Sequence, residues 1–399
     1  MILKKLEELE IRFNNDRPEL ELTVRDNELG LEGYVVVWNS KPGMRGPLGP
    51  CGKGGTRITP DVTLDEVRML ARRMALKNAA AGLAMGGAKS GFRANPDHPN
   101  CEKLYRRFAK LVAPMLVENG GVFGGFGFDI GARPNHPGIV CDELGSLRCF
   151  TGKPLEMGGT DYDREGLAGY GVVVAVDTML KEFGEDLKKQ TIAVQGLGAM
   201  GMAVSRYLLE KGAPLVAVCD PRIGGSFRLD ATLRPDLLEA MQSGDVSRVG
   251  VLLKSRAIQF DLEDLIAEPV DILIPAAVQD AITADNCTRV RARYIVEAAN
   301  GPCSASAQIK LELGGVRILP DFIANPGGIV AAFVELTSKV TPEENLKTRA
   351  NVTASKKYID ERISSNVKRC VELSKENEIG LISAGRYLAL SNIYSDWQK

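Results

Sequence analysis

The stretch TIAVQ-GLGAMG-MAVSRYLLEKG constrains this chain more than any other. A short β-branched run leads into three glycines at G-x-G-x-x-G spacing (Gly196, Gly198, Gly201), and an amphipathic helix opens directly after them. In that context the first glycine permits a tight turn and the second lets backbone reach a pyrophosphate. The third lets helix and strand pack closely, at a helix N-terminus that favours anions. Asp220 closes the next strand-like run, PLVAVCD, at the spacing of about 20 residues expected of the acid that meets an adenosine ribose. Its carboxylate would repel a 2′-phosphate, so NAD is favoured. Arg222, two residues on, pulls the other way and keeps NADP open.

From about residue 167 the sequence alternates short apolar runs with helical patterns, the mark of a parallel sheet built from βαβ units. Strands are expected at 191–195, 215–219, 271–275, 294–297 and 317–319. The first third differs. It mixes a strand near 33–38 (GYVVVW) with a Gly/Pro-dense stretch at 42–55 and then a helix from a Thr63-x-x-Glu66 capping box to about Ala81. A stripe of Ile359, Ile363, Val367 and Val371 near the end needs a partner surface, expected to be the N-terminal region. The predicted fold is α/β with two domains. Residues 1–165, joined by helices of 340–399, form an α/β substrate and oligomerisation domain; 166–339 form a Rossmann-type dinucleotide domain across a cleft.

Composition removes several alternatives. Lys plus Arg total 50 against 51 Asp plus Glu, which leaves no basic excess to attract nucleic acid or an anionic membrane. Hydrophobic residues make up 44% and charged residues 25% of the chain, a globular balance. The 8 cysteines are scattered without a CxxC pair or ligand-spaced histidines, so neither zinc nor a disulfide framework is indicated. The charged opening MILKKLEELE lacks the apolar core of a signal peptide, and the longest apolar run, around 172–176, is too short for a bilayer. A cytoplasmic location is expected. His98 and His136 both sit in Asn/Pro-rich sequence, which argues against a histidine-based triad.

Lysines carry the chemistry. Lys77 falls at helical spacing from Leu70 and Met74, on what reads as the buried stripe of its helix, where lysines are rare. Lys89 lies in a glycine nest, AMGGAKSG, and Lys53 in another, PCGKGGTR. Three lysines in such settings suggest a pocket for anionic groups. Repulsion and desolvation would draw at least one of them toward neutrality, where an amine can serve as a base. Asp129, in GGFGFDIGARP, is the candidate carboxylate partner.

Over most of its length the chain resembles the amino-acid dehydrogenase family that covers the glutamate, leucine, phenylalanine and valine enzymes. KNAAAGLAMGGAKSG (77–91) resembles its two-lysine signature. DILIPAA (271–277), VEAANGP (296–302) and LPDFIANPGG (319–328) resemble its cofactor and hinge motifs. The resemblance implies reversible NAD(P)-dependent oxidative deamination of an L-amino acid to a 2-oxo acid and ammonia, in a homo-oligomer and without a metal. It assigns Lys77 to the substrate α-carboxylate, Lys89 to the base that activates water, and Asp129 to proton transfer. Ala276, Asn300 and Asn325 become nicotinamide, ribose or substrate contacts.

Glutamate is the favoured substrate. Lys53 and Met85 resemble the glutamate enzymes, where a lysine before the Gly-Gly pair meets the side-chain carboxylate. Ala332 stands where a serine would share that carboxylate, and Gly52 looks inserted, so leucine, valine and phenylalanine stay in view. Ala168 and Pro326 also depart from the family pattern, and the segment after Asp129 looks shortened. Two other classes compete: a non-catalytic dinucleotide-binding relative, which has no need of Lys89 and Asp129, and a hydroxy-acid oxidoreductase, which requires a catalytic histidine.

Overall fold

A computed structural model of the chain describes residues 2–44 and 46–395. It divides into two units. The first comprises Met1–Tyr162, Ile329–Tyr358 and Tyr387–Lys399, the second Asp163–Gly328 and Ile359–Arg386.

In the first unit, β1 (Leu20–Asp26), β2 (Leu31–Val37), β3 (Gly52–Lys53), β4 (Thr56–Thr59) and β5 (Gly86–Arg93) form one sheet. Its order is β1-β2-β5-β3, and β4 also pairs with β5. The centre is buried on both sides, so β2 reads as a continuous apolar run. Val35 and Val37 enter a cluster with Ile58, Phe92, Tyr105, Phe108, Phe126 and Phe150, while Tyr34, Val36 and Trp38 face Val67, Ala71 and Ala75. Burying these side chains stabilises the unit by roughly 1.5–3 kcal/mol for each large one.

The segment read as a glycine nest is the strand β5. A Cβ at Gly87 would lie 2.1 Å from Ala75 N, and one at Gly86 would lie 1.8 Å from Asn39 O. Gly87 lets the helix Leu64–Ala80 descend onto the strand, and the room both glycines give is taken by protein. That helix starts as expected, with the Thr63 hydroxyl accepting from Glu66 N at 3.2 Å. Its buried row is displaced from the reading above: Val67, Ala71, Ala75, Asn78 and Ala79 face inward. Lys77 is half-buried on the flank with Leu70 and Met74. Asn78 takes the inner position because its amide donates to Gly86 O at 2.7 Å and Lys53 O at 3.2 Å, which offsets the cost of burying it. A small parallel pair, β6 (Phe126–Gly127) and β7 (Phe150–Thr151), completes this unit's strands among the described residues.

The second unit carries β8 (Ile192–Gln195), β9 (Leu215–Asp220), β10 (Gly225–Arg228), β11 (Ile258–Phe260), β12 (Ile272–Pro275), β13 (Tyr294–Val296) and β14 (Arg317–Leu319). Their order is β11-β10-β9-β8-β12-β13-β14. The five expected strands are present, mutually parallel and within a residue or so of their predicted ends. The order turns back on either side of β8, the switch point where open α/β sheets bind ligands. Two further strands extend the sheet beyond β9: β10 runs antiparallel to β9, and β11 antiparallel to β10. They escaped notice because each is short, β10 begins with glycine, and the edge residue Ile258 is exposed.

The apolar stripe of Ile359, Ile363, Val367 and Val371 is fully buried, but within this second unit and not on the N-terminal region. It lies along the helix Leu167–Glu182. Ile363 approaches Gly171, Tyr170 donates its hydroxyl to Asp360 at 2.8 Å, and Thr178 bonds Ser364 at 3.2 Å. Of the C-terminal part, residues 340–358 and the final helical turns, with Leu390 in its core, belong to the first unit. Among the described residues no helix is long and apolar enough to cross a membrane.

Candidate active site

The register of β4 against β5 builds the first unit's polar centre. β4 runs parallel to β5 with Arg57 opposite Gly91, while Ile58 N donates to Ile130 O at 2.9 Å. Strand β4 is therefore tied both to the strand bearing Lys89 and to the segment bearing Asp129. Lys89 Nζ lies 3.1 Å from Asp129 Oδ1, and Arg57 Nε donates to Asp129 Oδ2 at 2.8 Å. The other end of the Arg57 guanidinium is held by Glu66. Burial pushes the Asp129 carboxyl upward, but the charges of Lys89 and Arg57 outweigh it and hold the group below the usual carboxylate range.

Lys53 occupies a different environment. It is 1% exposed, and its ammonium donates to Gly54 O at 3.0 Å, Gly125 O at 2.9 Å and Phe126 O at 2.6 Å. All three ammonium protons thus have backbone partners. A Cβ at Gly124 would lie 3.2 Å from Lys53 Cδ, and one at Gly127 would lie 3.2 Å from Lys53 Nζ, so these glycines make room for the lysine. Desolvation pulls Lys53 down to about 7, against the attraction of Glu335. Met85 and Ala332 are both buried in this unit.

Glu335, on the helix Gly327–Thr337 that also carries Ala332, is buried against the loop after β7. It pairs with Lys153 and accepts from Gly152 N at 3.1 Å, Thr160 N at 3.0 Å and the Thr160 hydroxyl at 2.9 Å. Lys153 in turn donates to Phe150 O at 2.7 Å. A buried pair satisfied on every side gives this loop one defined position. His136 is a core residue. Burial lowers it to about 4, its Nδ1 accepts from Arg133 N at 3.1 Å, and its ring meets Tyr105 edge-on.

In the second unit the glycine turn has the form a dinucleotide needs. Gly196 is left-handed at φ 91°, and a Cβ at Gly201 would lie 1.8 Å from Gly196 O, so only glycine lets the helix Ala199–Glu210 start there. Gly198 has nothing within 4 Å of where a Cβ would be, and no side chain caps the helix it precedes. The turn borders a cavity of ≈ 420 Å³ whose lining includes Ala199, Arg206, Arg222 and Ser243. An open cradle at an uncapped helix N-terminus, with cationic side chains on its wall, fits a pyrophosphate.

Asp220 is not a free ribose acceptor. Its Oδ2 accepts from Leu197 N at 2.8 Å and its Oδ1 from Arg222 N at 2.9 Å, while the Arg222 guanidinium forks across both oxygens at 2.9 Å. Burial raises this carboxyl, and the bonds from Arg222 and Leu197 N more than reverse that. Ala276 N donates to Gln195 O at 2.8 Å, which fixes the end of β12 beside the turn. The buried Asn325 amide donates to Ala298 O at 2.9 Å, Ala299 O at 3.2 Å and Asn300 Oδ1 at 3.2 Å. Its Oδ1, like Gln195 Oε1, is buried without a partner, an acceptor for a bound donor. Glu297 braces the same region by accepting from Asp321 N at 3.1 Å, and burial together with Asp321 pushes it up to about 7.

The structure thus brings Lys89 and Asp129 together, encloses Lys53 in backbone, and gathers Gly196, Gly198, Gly201 and Asp220 around one turn. Sequence reasoning missed Arg57, Glu66 and Gln195. The one available signal was the position of Arg57 beside the Lys53 glycine pair.

Residues 158–398 match the family model of glutamate/leucine/phenylalanine/valine dehydrogenase, and 19–143 match the model of the Glu/Leu/Phe/Val dehydrogenase dimerisation domain. A glutamate dehydrogenase of Aeropyrum pernix is 30% identical over 96% of this chain and 91% of its own length. An NADP(+)-dependent glutamate dehydrogenase of Pyrobaculum calidifontis is 32% identical over 91% of this chain and 85% of its own. The solved Plasmodium falciparum glutamate dehydrogenase 2 has the same fold, with a TM-score of 0.80 at 23% identity over 98% of this chain and 88% of that one.

Proposed function

The chain belongs to the glutamate/leucine/phenylalanine/valine dehydrogenase family, and from that premise we propose that it oxidatively deaminates L-glutamate, reversibly, to 2-oxoglutarate and ammonia. The observation that carries this reading is the contact of Lys89 Nζ with Asp129 Oδ1 at 3.1 Å, a shielded base next to a proton carrier. Lys77 binds the substrate α-carboxylate. Asp129 takes a proton from the substrate nitrogen and returns it in the reverse direction. Lys89 draws a proton from the water that attacks the substrate iminium carbon, and the resulting carbinolamine releases ammonia.

Gly196, Gly198 and Gly201 hold the pyrophosphate, and Ala276, Asn300 and Asn325 hold the nicotinamide and its ribose. The cofactor, when bound, supplies the hydride acceptor. Asp220 favours NAD; with Arg222 neutralising it, NADP is accepted too. The first unit binds substrate and forms the contacts of a homo-oligomer, and the protein works in the reducing cytoplasm, where its buried thiols stay free.

A second reading has one observation in its favour. Lys53 spends its protons on backbone carbonyls, and Ala332 offers no hydroxyl, so a substrate without a side-chain carboxylate would lose little here.

One experiment tests both. NADH and NADPH absorbance is followed with a panel of L-amino acids, and in reverse with 2-oxo acids and ammonium. Glutamate should lead; a leading apolar amino acid would move the assignment to the second reading. Lys89→Ala and Asp129→Asn should each cut turnover by about a thousandfold while NADH still binds by fluorescence. Retained turnover in either variant would remove its assigned role.

A further inference from the structure

Asp129 is shared between two cations that differ in one respect. Lys89 holds Oδ1 and can give up its proton; Arg57 holds Oδ2 and cannot. A lysine that cycles between charged and neutral forms is an unreliable counter-ion for a carboxylate only 18% exposed. Arg57 supplies a permanent one.

Its placement is over-determined. The backbone of β4 is paired to β5, and Ile58 N bonds Ile130 O, next to Asp129 itself. Gly55 sits where a Cβ would lie 2.3 Å from Phe128 O, so the two segments are in direct backbone contact there. The charged groups facing Asp129 are Lys89 from β5 and Arg57 from β4, with Glu66 from the helix Leu64–Ala80 engaging the far end of Arg57. Glu66 holds the far nitrogen, Nη1, while Nε meets Oδ2 and Lys89 meets Oδ1. The four side chains sum to zero charge.

We infer that Arg57 is a positioning residue of the reaction: it turns Asp129 so that Oδ1 faces Lys89, and remains its counter-ion while Lys89 has given up its proton. This rests on the reading of Asp129 as the proton carrier.

The test compares Arg57→Gln, Arg57→Lys and Glu66→Gln with the unaltered enzyme, in kcat, KM and the pH dependence of kcat. Arg57→Gln should lower kcat about a hundredfold with KM changed less than about threefold. Its acid limb should move to higher pH by roughly one unit, because Asp129 has lost a neighbouring cation. Arg57→Lys restores the charge without the fork, so it should recover about tenfold of the rate and return the acid limb. Glu66→Gln should cost about threefold to tenfold.

A merely structural arginine would lower the melting temperature or raise KM and leave the limb in place. That outcome, or a kcat within twofold of the original in Arg57→Gln, overturns the inference. Should Arg57→Gln not fold, the limb in Arg57→Lys and Glu66→Gln decides, and rates matching the original in both would overturn it. Asp129→Asn run alongside separates the two failures. An inactive Asp129→Asn with a normal Arg57→Gln sinks this inference alone, whereas an active Asp129→Asn removes the mechanism and the inference with it.

Discussion

The glycine-rich stretches at 121–131 and 196–201 look alike as strings and differ in what stands beside them. In the second unit, Gly196 and Gly201 are pressed against protein while Gly198 faces open space at a helix start. In the first unit the space is already taken: Gly124 and Gly127 border Lys53, and Gly131 lies against Ile58 O. One run leaves open space at a helix start, the other makes room for the protein's own lysine and backbone. Glycine density therefore marks close approach without saying what approaches, and only the neighbours decide.

Three substitutions would break or sharpen this contrast. The largest effect is expected at Gly131, which is left-handed at φ 84° and whose Cβ would lie 1.9 Å from Ile58 O. Gly131→Ala should destabilise the first unit by about 3 kcal/mol or more in denaturant melts, and a near-neutral result would show that this run has slack. Gly198→Ala should do the reverse. The melting temperature stays within a degree or two, while the dissociation constant for NADH rises about tenfold to a hundredfold, since the added methyl would stand where the proposed pyrophosphate site meets backbone. Lower stability with unchanged affinity would erase the distinction.

The effect that is smallest per unit of pH is a slope. Lys53 binds its proton up to about 10.5 when unfolded and releases it near 7 when folded, because burial disfavours its charge. Between those values the unfolded chain holds the extra proton, so Lys53 makes stability rise with pH, by at most about 1.4 kcal/mol per unit. Lys53→Met, which is less stable overall because three carbonyls lose their donor, should lack that rise. Parallel stability–pH curves for the two proteins would mean that Lys53 keeps its proton in the fold.

The dinucleotide half was legible in the sequence because its signals are local. A β-branched run, a glycine turn and a helix follow one another within a single βαβ unit, and the buried parallel strands are apolar throughout. The edge strands β10 and β11 were not, since an edge is defined by a neighbour elsewhere in the chain. The same holds for the site. Lys89 and Asp129 stand out by residue type and family resemblance, whereas Arg57 acquires its partners only through the register of β4 on β5 and the bond to Ile130 O.

In the helix Leu64–Ala80 the buried residues Val67, Ala71 and Ala75 were legible, but Leu70 and Met74 were counted with them, which put Lys77 one position too far in. Leu70 and Met74 are as apolar as Ala71 and Ala75, and the buried Asn78 carries a polar letter that conceals its location. The C-terminal stripe advertised its burial but not its partner, because an apolar stripe has no address.

Asp220 holds Leu197 N with one oxygen and Arg222 with both. An engineer who replaced it to change the preferred coenzyme would also release the peptide just before Gly198 and free an arginine at the rim. On the proposed reading of Asp220, selectivity and grip are therefore a single adjustable property at this corner, and any variant that alters one should alter the other.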